Sequence, residues 1–390
     1  MKILQIVNDF SKTQVHSNMI RNLDELGVNQ IVFNAVRRAD LIGKNAFETQ
    51  NTEFVYANVV KPYHKYFYHI KLNLVFSEML KRIDVKSIDL SHASTLFTDG
   101  ALAYKLHKKY GIPYFVAIRN TDVNDFMRKA PHTWLMGMKI LLNAEKIIFI
   151  SEGLRRLFSV HPMVKCIQKK IANKYILLPN GIDNYFLDNV DRTERTGRRV
   201  VYVGNFGANK NVVRLTNAVL KLQKQPGFDD LRFTIVGGKY EPDDTLPNLI
   251  KSNPDIIDYK GLIFDKAELC KIFRSCKLFA MTSIYETFGL VYIEALSQNL
   301  PVLYTKNQGI DGLFGPEVGE AVNPLSEDEI VEGLKKILTR NSYSNRNIDF
   351  EEFRWSRMAA KYKEFYKATL GCKDVDQDLL KGYLIPKQCG

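Results

Sequence analysis

Short apolar runs alternate with stretches of helical periodicity along the chain. Residues 2–7, 30–34, 54–56, 87–91, 113–118, 146–150 and 175–178 read as strands, and 18–26 and 101–110 read as helices between them. Apolar strands that lack a polar alternate face and are separated by helices predict parallel sheets covered on both sides. Gly111-Ile112-Pro113 ends one helix and opens the next strand, since glycine suits the residue after a helix and proline cannot extend it. The pattern restarts after a polar linker at 188–199, with strands at 200–204, 232–236, 256–259, 277–281 and 301–304. Gly227, Gly237-Gly238 and Pro242 punctuate the loops. A helical pattern over 350–370 ends the compact part, and 372–390 reads as a tail.

The fold class is therefore α/β, with two Rossmann-like doubly wound domains facing across a cleft. A chain of 390 residues suits two domains of ordinary size, and 45% hydrophobic content supplies two full cores. The expected division is 1–187 and 188–365, with the end of the chain, about 366–390, packing back on the first domain. In such sheets ligands bind outside the carboxyl ends of the strands.

Composition narrows the setting. Five cysteines (Cys166, Cys270, Cys276, Cys372, Cys389) form no C-x-x-C pair, which suits a reduced, cytoplasmic protein. No apolar run approaches the ~20 residues of a spanning helix. The apolar run at the start is too short for a signal peptide and reads as a first strand.

Charge is uneven. Residues 1–200 carry 30 Lys and Arg against 18 Asp and Glu, whereas 201–390 carry 25 of each, so the whole +12 lies in the first half. Such a surface is either a solvated face or one that meets an anion. No nucleic-acid module is visible, so an anionic lipid leaflet is the better partner. Two segments mix apolar residues with bases, 61–82 (Tyr63, Tyr66, Phe67, Phe76 among Lys61, Lys65, Lys71) and 134–142 (Trp134 with Lys139). Each reads as a core-facing helix or as a peripheral contact with the inner face of the cytoplasmic membrane.

The candidate chemistry concentrates in 279–304. A short apolar strand leads into a polar turn, a helix at 289–297 and a second strand. Glu286 lies on the turn at the helix entrance and Glu294 on the helix. A strand-to-helix turn offers free N–H groups and the positive end of the helix dipole, which suits a diphosphate. Two carboxylates there repel phosphate unless each has a hydroxyl partner. A nucleotide-sugar supplies both features.

This segment resembles the E-x7-E signature of retaining glycosyltransferases of family 4, which have the GT-B fold. Tyr285-Glu286-Thr287-Phe288-Gly289-Leu290 resembles the E-x-F/Y-G-L turn, Ile293-Glu294-Ala295 the x-E-A step, and Leu300-Pro301-Val302 the x-P-V step. Most of 85–340 is similar to that family. Asp89-Leu90-Ser91-His92 resembles its D-x-x-H strand end, and Gly111-Ile112-Pro113 its G-I-P. Residues 144–151 resemble its A-D-x-V-I-x-x-S, and Leu178-Pro179-Asn180-Gly181-Ile182-Asp183 its P-N-G-V-D turn. Residues 202–211 resemble the donor loop Y-V-G-R-x-x-x-x-K-N, with Gly204, Asn205 in place of the usual arginine, and Lys210. Residues 1–80 match poorly, and Phe10-Ser11-Lys12-Thr13-Gln14 stands where the family has paired glycines. After the fifth strand the family often has a histidine facing the sugar; here Arg119-Asn120-Thr121-Asp122 stands there.

The resemblance implies a hexosyltransferase that moves a sugar from a nucleotide-diphosphate donor, with UDP favoured over GDP, to a hydroxyl of a glycan or lipid-linked acceptor with retention. Polysaccharide biosynthesis at the cell surface is the implied setting. Glu286 and Arg119 are the catalytic candidates. Gly204, Asn205, Lys210, Gly237, Leu262, Ile263, Thr287, Phe288, Gly289, Leu290 and Glu294 are the donor-binding ones. His92 and Asp122 are acceptor-side candidates. No cofactor or metal is implied, because Lys210 and helix-entrance N–H groups take over charge neutralisation. The D-x-D run at Asp374-Val375-Asp376 lies in the tail, where it reads as solvated. Two other classes stay open: a sugar-nucleotide-binding subunit without activity, and a nucleotide-sugar epimerase of the same fold.

Overall fold

The computed structural model describes residues 1–238, 244–340 and 342–382. Pro242, Cys389 and the end of the tail lie outside the described residues. The chain divides into two compact units. Unit 1 comprises 1–150, 154–181 and 355–390; unit 2 comprises 151–153 and 182–354.

Unit 1 holds seven parallel strands: β1 (Lys2–Ile6), β2 (Asn29–Ala35), β3 (Thr52–Ala57), β4 (Leu90–Ala93), β5 (Tyr114–Ala117), β6 (Lys146–Phe149) and β7 (Tyr175–Leu177). Their order is β3-β2-β1-β4-β5-β6-β7, so the winding reverses between β1 and β4. Unit 2 holds β8 (Arg199–Val203), β9 (Arg232–Val236), β10 (Ile257–Gly261), β11 (Leu278–Ala280), β12 (Val302–Thr305) and β13 (Gly319–Val322). Its order is β10-β9-β8-β11-β12-β13, with the reversal between β8 and β11. Both sheets are parallel throughout and flanked by helices, as two Rossmann-like units require. Ligand crevices in such sheets open at these reversals, beyond the carboxyl ends of the strands.

Local chemistry explains the element ends. Gly111 takes φ +75° after the helix Asp99–Tyr110, and Pro113 follows it. Asp265 caps the helix Lys266–Arg274 by accepting from the Ala267 N–H at 2.8 Å and the Glu268 N–H at 3.3 Å. The fourth strand begins at Leu90, later than the sequence suggests, because Asp84 caps a 3-10 turn over Val85–Ser87. β13 has no counterpart in the apolar pattern. It opens on glycine and carries Glu320, yet it pairs in register with β12.

The helix Trp355–Thr369 belongs to unit 1, so the chain returns there at Trp355 rather than near 366. The cause is its apolar face. Met358, Tyr362, Phe365 and Tyr366 are buried in one core with Met19, Ile20 and Leu23 of the helix Gln14–Glu25. No helix among the described residues is long and apolar enough to cross a membrane. In the 61–82 segment the helix Tyr68–Arg82 buries Tyr68, Leu72, Val75 and Met79, while Tyr66, Phe67 and Ile70 are exposed. The 134–142 segment forms the helix Trp134–Asn143, with Ile140 and Leu141 buried and Leu135 exposed.

Candidate functional site

In unit 2 the donor candidates gather at the winding reversal. Beyond β11 the chain makes the turn that carries Glu286 and then enters the helix Leu290–Ser297. Gly289 stands at its N-cap with φ +78°, and a Cβ there would lie 2.5 Å from the Tyr292 ring, so only glycine fits. Beyond β8, Lys210 ends a 3-10 turn over Ala208–Lys210. Its Nζ lies 2.7 Å from Glu286 Oε2, with the two side chains only 22% and 10% exposed. The Ser283 hydroxyl also donates to Oε2 at 3.1 Å, and the Thr287 N–H donates to Oε1 at 3.2 Å.

The backbone around this pair is fixed from several sides. Asn209 Nδ2 donates to the Tyr285 carbonyl at 2.8 Å, and its Oδ1 accepts from the Tyr285 N–H at 3.0 Å. Gly309 N–H donates to the Glu286 carbonyl at 2.9 Å, and the Glu286 N–H donates to Gln308 Oε1 at 3.3 Å. Ser151, the first of three residues that join unit 2 after β6, donates through Oγ to the Thr287 carbonyl at 2.5 Å. Lys210 and Glu286 thus stand on crossed loops that cannot shift independently.

Glu294 differs from Glu286. It is half-buried on the helix, and its carboxylate has no hydrogen-bond or ion-pair partner among the described residues. Burial pushes its pKa up to about 7; Asp183 adds to the rise and Lys266 opposes it. A carboxylate held without a partner gains from any hydroxyl brought to it.

The remaining donor candidates border the same strand ends. Gly204 follows β8, and the exposed Asn205 accepts from the Tyr202 hydroxyl through its carbonyl at 2.6 Å. Gly237 follows β9 with φ +153°, and a Cβ there would lie 1.8 Å from the Gly204 carbonyl oxygen. Leu262, just beyond β10, is 61% exposed, and Ile263 is half-buried beside it. Phe288 is buried and Leu290 opens the helix.

Unit 1 rearranges the other candidates. His92 lies inside the core. Its Nδ1 is 2.7 Å from the Tyr366 hydroxyl, its ring stacks on Tyr362 at 5.4 Å, and burial with the nearby Arg119 cation lowers its pKa to about 3. It is a packed, partnered histidine. Asp122 is 1% exposed and accepts from the backbone N–H groups of Leu96, Phe97 and Arg119 at 3.0, 3.2 and 2.9 Å. That carboxylate ties the loop after β4 to the loop after β5, and burial still raises its pKa to about 6. Those three bonds occupy the carboxylate with backbone donors. Arg119 donates through Nε to the Ser94 carbonyl at 3.2 Å. Its two terminal nitrogens have no hydrogen-bond partner among the described residues. In the tail, Asp374 pairs with Lys367 at 2.9 Å and Asp376 caps a short helix.

Several residues escaped the sequence. Ser283 shares the turn with Glu286 but carries no motif, and Asn209, Gln308 and Gly309 gave no spacing signal because they reach the Tyr285–Glu286 backbone only through loop crossings. His16 carries no motif either, yet it is 7% exposed, lacks a hydrogen-bond partner among the described residues, and is held near pKa 3 by burial and Arg119.

Residues 187–351, which include all the unit 2 candidates, match the profile of the Glycosyl transferases group 1 family. That match spans all six strands of unit 2. Among curated proteins it is similar to an uncharacterized glycosyltransferase of Methanocaldococcus jannaschii, 24% identical over 295 residues that cover 73% of this chain and 77% of that protein. It is also similar to a putative teichuronic acid biosynthesis glycosyltransferase of Bacillus subtilis, 22% identical over 279 residues, 67% of this chain and 65% of that one. Among solved structures, an E. coli trehalose-6-phosphate protein bound with UDP-2-fluoro glucose superposes with TM-score 0.69 at 13% identity, over 94% of this chain and 99% of that chain. That likeness establishes the GT-B fold of the two units.

Proposed function

We propose that this glycosyltransferase moves a hexose from a nucleotide-diphosphate sugar, UDP- rather than GDP-linked, to a hydroxyl of a glycan or lipid-linked acceptor, with retention of anomeric configuration. The observation that carries the reading is the contrast between two glutamates on one turn and helix. Glu286 is saturated by Lys210, Ser283 and a backbone N–H. Glu294 is desolvated and empty-handed. Glu294 is suited to the ribose hydroxyls. Lys210, released from Glu286, is suited to the diphosphate, and Glu286 to a sugar hydroxyl.

Chemistry then follows from charge placement. The bond from C1 to the diphosphate oxygen breaks, and the bond from C1 to the acceptor oxygen forms on the same face. The acceptor proton passes to a departing phosphate oxygen. Lys210 stabilises that leaving group as its charge grows. Positioning provides the remainder of the acceleration. No step in this scheme calls for a metal. The E. coli neighbour's UDP-2-fluoro glucose supports the UDP reading, and the B. subtilis relative's name supports a cell-surface polymer as product.

Radiolabelled UDP- and GDP-hexoses incubated with the protein and a lipid extract test the proposal. Label in a new product, with the anomeric proton coupling of the donor, is the expected result. Interconversion of the free donor indicates an epimerase, and retention of label on the protein alone indicates a binding subunit.

A further inference from the structure

Unit 1 contains a cavity of about 490 Å³ with a mixed apolar and charged lining. It opens beyond the carboxyl ends of β1, β2, β3 and β4, where Asn8, Val36, Val60 and Thr95 line it. Its apolar lining includes Leu41, Leu72, Val75, Leu102 and Phe126. Its charged lining is Lys12, Arg37, Arg38 and Lys71 with the carboxylate of Asp9.

These cations are not equivalent. Lys12 is paired with Asp9 at 2.8 Å, and Arg38 is paired with Asp40. Arg37 and Lys71 have no carboxylate at ion-pair distance among the described residues. Lys71 is half-buried, on the helix Tyr68–Arg82. Burial lowers its pKa, and Arg37 and Lys12 lower it further as like charges, against the opposing pull of Asp99. Two unpaired cations facing one cavity repel each other until an anion enters. A dianion held by both gains charge-assisted hydrogen bonds, partly desolvated at Lys71 and open to water at the exposed Arg37.

We infer that this cavity binds a phosphate or diphosphate group of the acceptor through Lys71 and Arg37, with the apolar lining residues holding the group's organic part. The inference rests on the transferase reading above for the word acceptor, but not for the binding itself. Phosphate on a soluble sugar and phosphate on a lipid share this chemistry. The lipid source gains support from Phe67 and Ile70, exposed by 52% and 59% at the start of the helix that supplies Lys71 and Leu72.

Titration calorimetry on the full chain tests the inference, with hexose 6-phosphate, inorganic pyrophosphate, and phosphatidylcholine vesicles with or without polyprenyl phosphate as probes. Lys71→Met and Arg37→Gln, which keep the side-chain stems, should each weaken binding about 10–100-fold, as the loss of a charged hydrogen bond does. Arg38→Gln, already satisfied by Asp40, should change it less than about threefold. Binding of hexose phosphate marks a soluble acceptor, and binding of polyprenyl phosphate vesicles alone marks a lipid-linked one. Binding of none of these probes, or equal binding by the Lys71→Met/Arg37→Gln protein, overturns the inference. UDP titrated into the same samples separates the two readings. It should bind wild type and double variant alike, and failure of UDP to bind wild type counts against the donor site, not against this cavity.

Discussion

Replacing Lys210 with methionine removes one half of the ion pair with Glu286 while keeping the aliphatic stem. The pair is 2.7 Å long and both side chains are largely buried, so solvent screens it little. A charged hydrogen bond of this kind contributes about 1.5–3 kcal/mol. Glu286 keeps its bonds from the Ser283 hydroxyl and the Thr287 N–H, so the loss in stability should be about 2 kcal/mol. For a unit of this size that lowers Tm by about 4–8 °C. Glu286→Gln preserves an acceptor for Ser283 and frees Lys210. The donor should therefore bind the glutamine variant as tightly as wild type or tighter, since a carboxylate no longer faces the diphosphate, while turnover falls at least about 100-fold. Lys210→Met should weaken UDP binding about 10–100-fold. Thermal unfolding of the four proteins in a double-mutant cycle, with UDP titrations alongside, measures both roles. A coupling energy below about 0.5 kcal/mol, or wild-type UDP affinity in Lys210→Met, refutes the account.

Further outcomes are specific. Glu294→Gln should stabilise the protein at alkaline pH and not at acid pH. The folded pKa is raised from 4.5 to about 7, so the stability this group allows is full below pH 4.5 and is lost as pH rises through 7; a Tm gain at pH 8, of about 1–3 kcal/mol in stability, that vanishes at pH 4.5 is the expected result, and a pH-independent difference contradicts it. His16 and His92 act in the opposite direction, because their folded pKa values are depressed to about 3: their contribution is present above about pH 6.5 and is lost as pH falls toward 3, so His92→Phe should flatten the acid limb of a Tm–pH curve. Gly237→Ala drives a Cβ to 1.8 Å from the Gly204 carbonyl, so the donor loop must move; loss of UDP binding is expected, and unchanged affinity with unchanged Tm tells against the packing argument. Transfer should survive chelator at full rate; loss restored by manganese contradicts the charge scheme.

The periodicities legible in the sequence were those that burial enforces. Apolar runs marked twelve strands because parallel strands are covered on both faces. They missed β13, whose Gly-Glu-Ala-Val is held by pairing to β12 and not by its own hydrophobicity. Glu286, Glu294 and Lys210 were legible because motif spacing places them at a loop and helix entrance. Asp122 and His92 were legible only as polar residues at strand ends. Whether such a residue faces ligand or core depends on partners far along the chain, and here Tyr366 and the Leu96–Phe97 backbone took them. The cavity cations could not be read at all, because Arg37 and Lys71 are brought together by topology and look like ordinary surface charge in one dimension.

The central claim is that unit 2 holds a nucleotide-diphosphate sugar at the strand ends of β8 and β11. A crystal structure of the protein soaked with UDP tests it most directly. The account predicts ribose hydroxyls on the Glu294 carboxylate and the diphosphate on Lys210, with the Lys210–Glu286 pair lengthened from 2.7 Å. UDP bound elsewhere, or bound with Glu294 still unpartnered and the Lys210–Glu286 pair intact, would contradict it.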